Sequence, residues 1–270
     1  MVNWKNTLYL RDVNTVINYL KNLLGERIDN LESSHDLVKM LKTYNIWHDN
    51  GEKKPIPNEI LYLASIISTM RKYRNDFSSS IEKKHVINRL VSPEHVRGLF
   101  FEFLSIMHFE GLHKSVRYLP NVGSLSESDL RILRYDGHTF YVECTARKPK
   151  PIRITNYNIV KSDAKNALRN KANQSVDLKF PRIIAVFFPE EIDLSDSNFR
   201  EELGRDLQNR FKKPVYELVS ALVLVAYRKP ELRKREDGLE YYNTDSLSLA
   251  YPNFNAKYPL PPHSIKRDGL

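Results

Sequence analysis

The chain has 270 residues, and its 42 Lys and Arg residues outnumber its 33 Asp and Glu residues, which gives a net charge of +9. The apolar share of 41% excludes global disorder. A single cysteine excludes an intramolecular disulfide framework and a multi-cysteine zinc site. No apolar stretch approaches the ~20 residues of a membrane span, and residues 1–6 have no apolar signal run. We therefore expect a soluble cytoplasmic protein with a polyanionic partner and no membrane partner.

The first ninety residues are predicted to be mostly helical. Apolar residues recur at helical spacing from Val13 to Leu24, and a second apolar helix is expected over residues 59–73. No pattern of catalytic residues stands out in this part of the sequence. We expect residues 1–90 to form a helical N-terminal region.

From residue 92 the pattern changes to alternating helices and strands. Ser92-Pro93-Glu94 predicts a helix start, and this helix is expected to run to Glu110. The remaining predicted elements are strands at 115–119, 129–133, 139–145, 183–188 and 218–227 and helices at 160–174 and 198–211. This alternation predicts an α/β core over residues 91–230, and residues 231–270 are expected to form a C-terminal hairpin and an extended arm.

Two carboxylates are predicted to meet on adjacent strands. Asp129 opens one strand, Glu143 lies on the next, and the hairpin turn at Asp136-Gly137 lies halfway between them. Folding there brings the carboxylates roughly 5 Å apart, where they repel each other. A divalent cation such as Mg²⁺ or Mn²⁺ would relieve this repulsion. The alternative interpretation is a pair of solvated acids at strand ends.

A third carboxylate, Glu102, lies within the apolar run 99–104 of the predicted helix. A buried carboxylate is costly unless it is paired, hydrogen-bonded or bound to a metal. The alternative interpretation places Glu102 on the solvated face of an amphipathic helix.

Taken in order, these features resemble the PD-(D/E)XK nucleases, which are restriction-endonuclease-like phosphodiesterases. The resemblance rests on Glu102 on a helix, Asp129 before a strand, the strand 141–145 and the basic helix that ends at Gln174. It covers residues 92–190. It implies a restriction-endonuclease-like core, in which helices flank a mixed sheet, joined to the helical N-terminal region.

The resemblance also implies roles for individual residues. Asp129 and Glu143 would bind Mg²⁺ or Mn²⁺, and the backbone carbonyl of Cys144 would complete the ligands that the protein supplies. Glu102 matches the acid on the family's first helix, which often binds a second metal or a metal-bound water.

The sequence departs from the family pattern at Thr145, where the family has a lysine that orients the attacking water and stabilises developing charge. Arg147, Lys148 and Lys171 are the candidates for a relocated cation. We favour Lys171, because the helix after the motif packs beside the site in this fold. Lys171 and Gln174 also match polar residues that many family members carry on that helix. Loss of activity is the alternative.

The helix after the motif is also a candidate nucleic-acid surface. It carries Lys161, Lys165 and Arg169, and together with Lys148 and Gln174 these residues are predicted to contact a phosphate backbone. The alternative interpretation is a solvated cationic face.

The sequence thus predicts a metal-dependent endonuclease that hydrolyses phosphodiester bonds, with DNA as the favoured substrate and RNA as the alternative. A role in restriction, defence or mobile-element processing follows from analogy alone. The competing hypothesis is a non-cleaving nucleic-acid-binding or assembly protein on a decayed nuclease core, which Thr145 favours. A homodimer is attractive because cutting two strands requires two sites.

Overall fold

A computed structural model describes most of the chain. The described residues are 7–9, 13–51, 56–77, 79–110, 115–119, 128–146, 157–173, 179–188, 192–227, 231–234, 236–238, 240–243 and 246–261. The chain divides into two compact units, the first formed by Met1–Met107 with Lys229–Asp245 and the second by His108–Arg228 with Ser246–Leu270. Within the described ranges, no helix has both the length and the apolar character needed to span a membrane.

The secondary structure contains every predicted helix and strand, although the helix predicted to start at Ser92-Pro93-Glu94 begins at Val96, after a turn at residues 93–95. The helices are α1 (Val13–Leu24), α2 (Asp36–Asp49), α3 (Asn58–Lys72), α4 (Ser80–Val91), α5 (Val96–Glu110), α6 (Tyr157–Asn173) and α7 (Ser197–Phe211). The strands are β1 (Thr7–Tyr9), β2 (Ser115–Tyr118), β3 (Leu130–Leu133), β4 (Thr139–Ala146), β5 (Arg182–Phe188), β6 (Ala221–Tyr227), β7 (Glu231–Lys234), β8 (Glu240–Asn243) and β9 (Ser246–Pro252).

The first unit contains the predicted helical region. The apolar stripe of α1 is buried throughout, from Val13 to Leu24, as its helical spacing predicted. A capping box between Ser79 and Glu82 begins α4. The strands β1, β8 and β7 form a small antiparallel sheet in that order, so the predicted C-terminal hairpin joins this unit.

The second unit is an α/β fold with a six-stranded mixed sheet that is open and flanked by helices. The strand order is β2-β3-β4-β5-β6-β9. The pairs β2–β3, β3–β4 and β6–β9 are antiparallel, whereas β4–β5 and β5–β6 are parallel. In sequence, α6 connects β4 to β5 and α7 connects β5 to β6, as parallel neighbours require a crossover. This architecture confirms the predicted α/β class.

Helices α6 and α7 cover one face of this sheet. Their buried side chains form one apolar cluster with alternate residues of β5, namely Ile184, Val186 and Phe188. On α5, Phe109 contacts Phe140 edge to face, with ring centroids 6.3 Å apart. The α6 side of β5 and β6 is therefore covered by helices, and Phe109 of α5 packs on β4.

The predicted hairpin turn is confirmed. Gly137 has φ +86°, a left-handed conformation that glycine adopts without steric cost. The Arg134 N–H donates to the His138 carbonyl at 2.9 Å, and the Asp136 carboxylate accepts from the His138 N–H at 3.1 Å. These bonds fix the register in which Leu133 faces Thr139.

The predicted extended arm contains a sixth strand of the main sheet. β9 pairs with β6 along its whole length. Leu249 and Tyr251 of β9 are buried in the cluster under α7, and the Tyr251 hydroxyl donates to the Arg200 carbonyl at 3.3 Å. Burial of apolar side chains on one face of β9 thus makes this segment part of the sheet, although its prolines had indicated an extended arm. The predicted segment 231–270 is accordingly divided between the two units.

Candidate active site

The carboxylate of Asp129 reaches β4 at the residue that follows Glu143. Leu130 faces Val142 in the register, yet the Asp129 N–H also donates to the Val142 carbonyl, at 3.0 Å. Two successive residues therefore face one residue of β4, which is the arrangement of a β-bulge. The Asp129 Oδ2 accepts from the Cys144 N–H at 2.7 Å. The expected regular pairing of Asp129 with Glu143 is replaced by this contact with the adjacent backbone.

The Cys144 carbonyl is directed to the same side of β4 as Asp129. In a strand, the N–H and C=O of one residue point to the same neighbour, and the Cys144 N–H points to Asp129. The Cys144 side chain is buried. The backbone carbonyl that the resemblance assigns as a metal ligand thus lies on the Asp129 side, and the thiol is placed as a packing group.

Glu143 lies on the α6 face of the sheet and is only 4% exposed. Its register partner Ile184 belongs to the apolar cluster under α6 and α7. Both carboxylate oxygens accept hydrogen bonds from cations: Oε1 from the Lys171 Nζ at 2.7 Å, and Oε2 from an Arg182 Nη. A buried carboxylate requires such partners, and charge-assisted bonds of this kind are the strong ones.

The structure brings Lys171 to Glu143, as we expected of the relocated cation. Lys171 belongs to the last turn of α6, next to the inward-facing Ala172, and its side chain is 24% exposed. Thr145 is half-buried on the same strand face as Glu143. Its hydroxyl carries no charge, and among the described residues Lys171 and Arg182 are the cations that bind Glu143.

Sequence reasoning missed Arg182. It is the first residue of β5, is 2% exposed, and its Nε and Nη1 have no hydrogen-bond partner among the described residues. Its backbone is fixed by an N–H bond to the Ser220 hydroxyl at 2.8 Å. The available signal was an arginine at the entrance of a wholly buried strand, which needs a counter-charge just as Glu102 does in its helix.

Glu102 belongs to the first unit, where it forms a bidentate ion pair. Arg89 donates to its two oxygens at 2.7 and 2.6 Å, and Glu102 is 5% exposed, so the solvated-face interpretation is wrong. Burial, followed by the charge of Arg89, lowers the pKa of the nearby His85.

The donor set around Asp129 and Glu143 fits a divalent cation in chemical type. Mg²⁺ binds proteins through one or two carboxylates and completes its shell with water and phosphate oxygens. In the part of the chain that the structure describes, no group of three or more His, Cys, Asp or Glu side chains is arranged to hold a metal. The role of Glu102 toward a second metal stays a prediction. Each oxygen of Glu143 accepts one hydrogen bond from a cation, so a metal bound by Glu143 would use a remaining lone pair or replace one of the two cations.

Two of the predicted nucleic-acid contacts form ion pairs between α6 and α7. Lys161 lies 2.5 Å from Glu202, and Lys165 lies 2.9 Å from Asp206. The hydrogen bond from each lysine lowers the pKa of its carboxyl partner. These lysines bridge the two helices.

The other predicted contacts differ in what the structure describes. Arg169 is exposed on α6. Lys148 and Gln174 lie outside the described residues, as does Arg147. Of the predicted nucleic-acid contacts, the structure therefore describes Arg169, which is exposed, and Lys161 and Lys165, which form ion pairs with α7.

Comparisons of the chain with protein-family models, with curated proteins and with solved structures find no match. The chemistry of the site is accordingly inferred from its residues and their contacts.

Proposed function

We propose that this chain is a metal-dependent nuclease of the PD-(D/E)XK class that hydrolyses phosphodiester bonds in DNA, with RNA as the alternative substrate. The observation that carries the proposal is the environment of Glu143. The buried carboxylate of Glu143 accepts a hydrogen bond from Lys171 at 2.7 Å. The next residue, Cys144, donates its N–H to the carboxylate of Asp129. Lys171 thus binds one acid, and the other acid binds the backbone of the next residue of β4, which supports the proposal although Thr145 occupies the usual lysine position.

The order of elements supports the same proposal. A helix, three antiparallel strands, a helix and a parallel strand follow one another as α5, β2, β3, β4, α6 and β5. The elements on which the resemblance rests, namely a helix, two strands and a basic helix, occur in this order. This order places the carboxylates on the β3–β4 hairpin and the lysine on the helix that follows it.

The chemistry assigned to the residues follows from their charges. A divalent cation supplies positive charge and lowers the pKa of a bound water in enzymes of this type, and Asp129, Glu143 and the Cys144 carbonyl are the groups that would hold it. Lys171 stabilises the negative charge that develops on the phosphorane oxygens, as a preorganised donor does. Arg182 keeps Glu143 in a fixed orientation.

A second candidate function is a non-cleaving nucleic-acid-binding or assembly protein on a decayed nuclease core. One observation favours it specifically: both oxygens of Glu143 are already neutralised by Lys171 and Arg182. In such a buried ion cluster the charge of Glu143 is balanced without a metal.

A cleavage assay separates the two functions. Plasmid, linear duplex and single-stranded DNA, with RNA alongside, are incubated with the protein in Mg²⁺ and in Mn²⁺. Asp129→Asn and Glu143→Gln are each expected to lower the cleavage rate by about 100-fold or more. Asp136→Asn is the matched control, because this carboxylate lies in the turn at the other end of the same hairpin, and it should cut as the unmodified protein does.

The assay has three distinct outcomes. Metal-dependent cutting that Glu143→Gln abolishes and Asp136→Asn retains supports the nuclease. Binding of DNA without cutting in either metal favours the non-cleaving protein. Cutting that survives both Asp129→Asn and Glu143→Gln refutes the site.

A further inference from the structure

An exposed aromatic pair lies beside the charged residues of the proposed active site. Phe180 is 45% exposed. Its ring lies against Tyr141, with centroids 5.7 Å apart and planes tilted by 55°. Tyr141 is itself half-buried. The pair thus presents aromatic surface to solvent.

The backbone holds Phe180 in this position. The Tyr141 N–H donates to the Pro181 carbonyl at 2.9 Å, which fixes the segment just after Phe180 to β4. Just before it, Lys179 has φ +58°, a left-handed conformation that a residue other than glycine adopts only with strain. These two features set the path of the backbone on both sides of Phe180.

The pair is close to Glu143. Tyr141 and Glu143 are two residues apart on one strand face, a separation of about 6.6 Å. Tyr141 also faces Arg182 in the register, and Arg182 binds Glu143. Strand geometry therefore places the aromatic pair one strand repeat from the proposed catalytic residues.

Exposed cations flank the pair. Arg131 is the register partner of Tyr141 on its other side, and Lys179 precedes Phe180; both side chains are exposed. Aromatic rings interleaved with cations are the features by which proteins bind single-stranded nucleic acid, since bases stack on the rings and phosphates pair with the cations.

We propose that Tyr141 and Phe180 stack an unpaired nucleobase, so that the substrate of this site carries a single-stranded segment. In a duplex both faces of a base are covered by its neighbours, so only an unpaired or extruded base offers a face to Phe180. A nucleotide stacked here has its backbone beside Lys171 and Glu143. The consequence for cleavage rests on the proposed nuclease function, whereas the binding itself does not.

The test is a binding measurement made without catalysis. Fluorescence anisotropy of a labelled oligothymidylate, a duplex of equal length and an oligouridylate is recorded in EDTA over a series of salt concentrations. Single strands are expected to bind more tightly than the duplex. Phe180→Ala should weaken single-strand binding by about 5- to 100-fold and leave the salt dependence unchanged. Lys179→Met should instead reduce the slope of log K against log salt by about 0.7.

Two further variants separate stacking from a general loss of structure. Phe180→Trp should retain binding, and its added tryptophan fluorescence should be quenched by the oligonucleotide. Phe254→Ala is the matched control, because Phe254 is an exposed phenylalanine of the same unit at 74% exposure, and it should bind as the unmodified protein does.

The outcomes also distinguish this inference from the nuclease proposal. Stacking by Phe180 in a protein that never cuts DNA would leave the inference standing and refute the nuclease. Cutting by a protein that prefers duplex, or whose binding Phe180→Ala does not change, would refute the inference alone. Absence of any nucleic-acid binding refutes it as well. The ratio of oligothymidylate to oligouridylate affinity identifies whether the strand is DNA or RNA.

Discussion

Replacing Arg182 with methionine should destabilise the second unit substantially. Arg182 and Glu143 have side-chain exposures of 3% and 5%, so the substitution leaves a buried carboxylate with one cation fewer. Breaking such a pair costs about 3–5 kcal/mol. Because Lys171 remains 2.7 Å from the other oxygen of Glu143, we expect the lower end of that range, about 3 kcal/mol.

A double-mutant cycle isolates the pair itself. Glu143→Gln alone leaves Arg182 buried without its carboxylate, whereas the double variant removes both charges. The double variant should therefore lose less free energy of unfolding than the two single variants together, by at least about 1 kcal/mol. Lys165→Met is the control for exposure, because the Lys165–Asp206 pair has side-chain exposures of 25% and 50%. It should cost less than about 1 kcal/mol.

Hydrogen exchange of β5 is the appropriate assay. Both tryptophans of the sequence precede residue 108, so tryptophan fluorescence does not report on the second unit. The amides of β5, a strand whose residues are all buried, exchange only when this unit opens, and mass spectrometry of that peptide gives the opening free energy. The stabilising role of the Glu143–Arg182 pair would be refuted if Arg182→Met lowered the opening free energy no more than Lys165→Met does. Additive losses for Arg182→Met and Glu143→Gln would refute it as well.

Three further predictions concern the framework. Burial lowers the pKa of His35 below its usual 6.5, and its Nδ1 caps α2 by accepting the Leu37 N–H at 3.2 Å; the first unit should therefore lose stability as pH falls below about 6.5, and His35→Asn should reduce this dependence in tryptophan-monitored urea unfolding, with the remainder due to His85, whose pKa is also lowered. Arg89→Met should destabilise the same unit by about 3 kcal/mol, because it leaves Glu102 buried without its bidentate partner; equal urea midpoints would contradict this. Gly137→Ala should cost about 1 kcal/mol or more from its φ of +86° alone, since beyond the adjacent residues no atom lies within 4 Å of the added Cβ, and hydrogen exchange of β4 should detect it.

Patterns among residues close in the sequence predicted the secondary structure correctly. The stripe of α1 and the Asp136-Gly137 turn depend on residues close to each other in the chain, so spacing and turn chemistry were sufficient. The apolar run that became β5 was also recognisable, because a short buried strand is nearly uniform in character. From these elements the alternating α/β order followed.

The non-local contacts of the site were only partly predictable. Lys171 was expected near Glu143 from the resemblance, but Arg182 reaches Glu143 only through the parallel register of β4 and β5, which spacing does not reveal. The bulge at Asp129 depends on one backbone hydrogen bond. Lys161 pairs with Glu202, which lies 41 positions away in the sequence. The cationic face predicted on α6 therefore also binds α7, which the spacing within one helix could not show.

The most direct test of the account is a titration of the protein with Mn²⁺, in which electron paramagnetic resonance measures the free ion. A metal site at Asp129 and Glu143 predicts binding by the unmodified protein that Glu143→Gln and Asp129→Asn both remove and that Asp136→Asn retains. Equal Mn²⁺ binding by all four proteins, or none by the unmodified protein at any concentration that supports cleavage, would contradict the account.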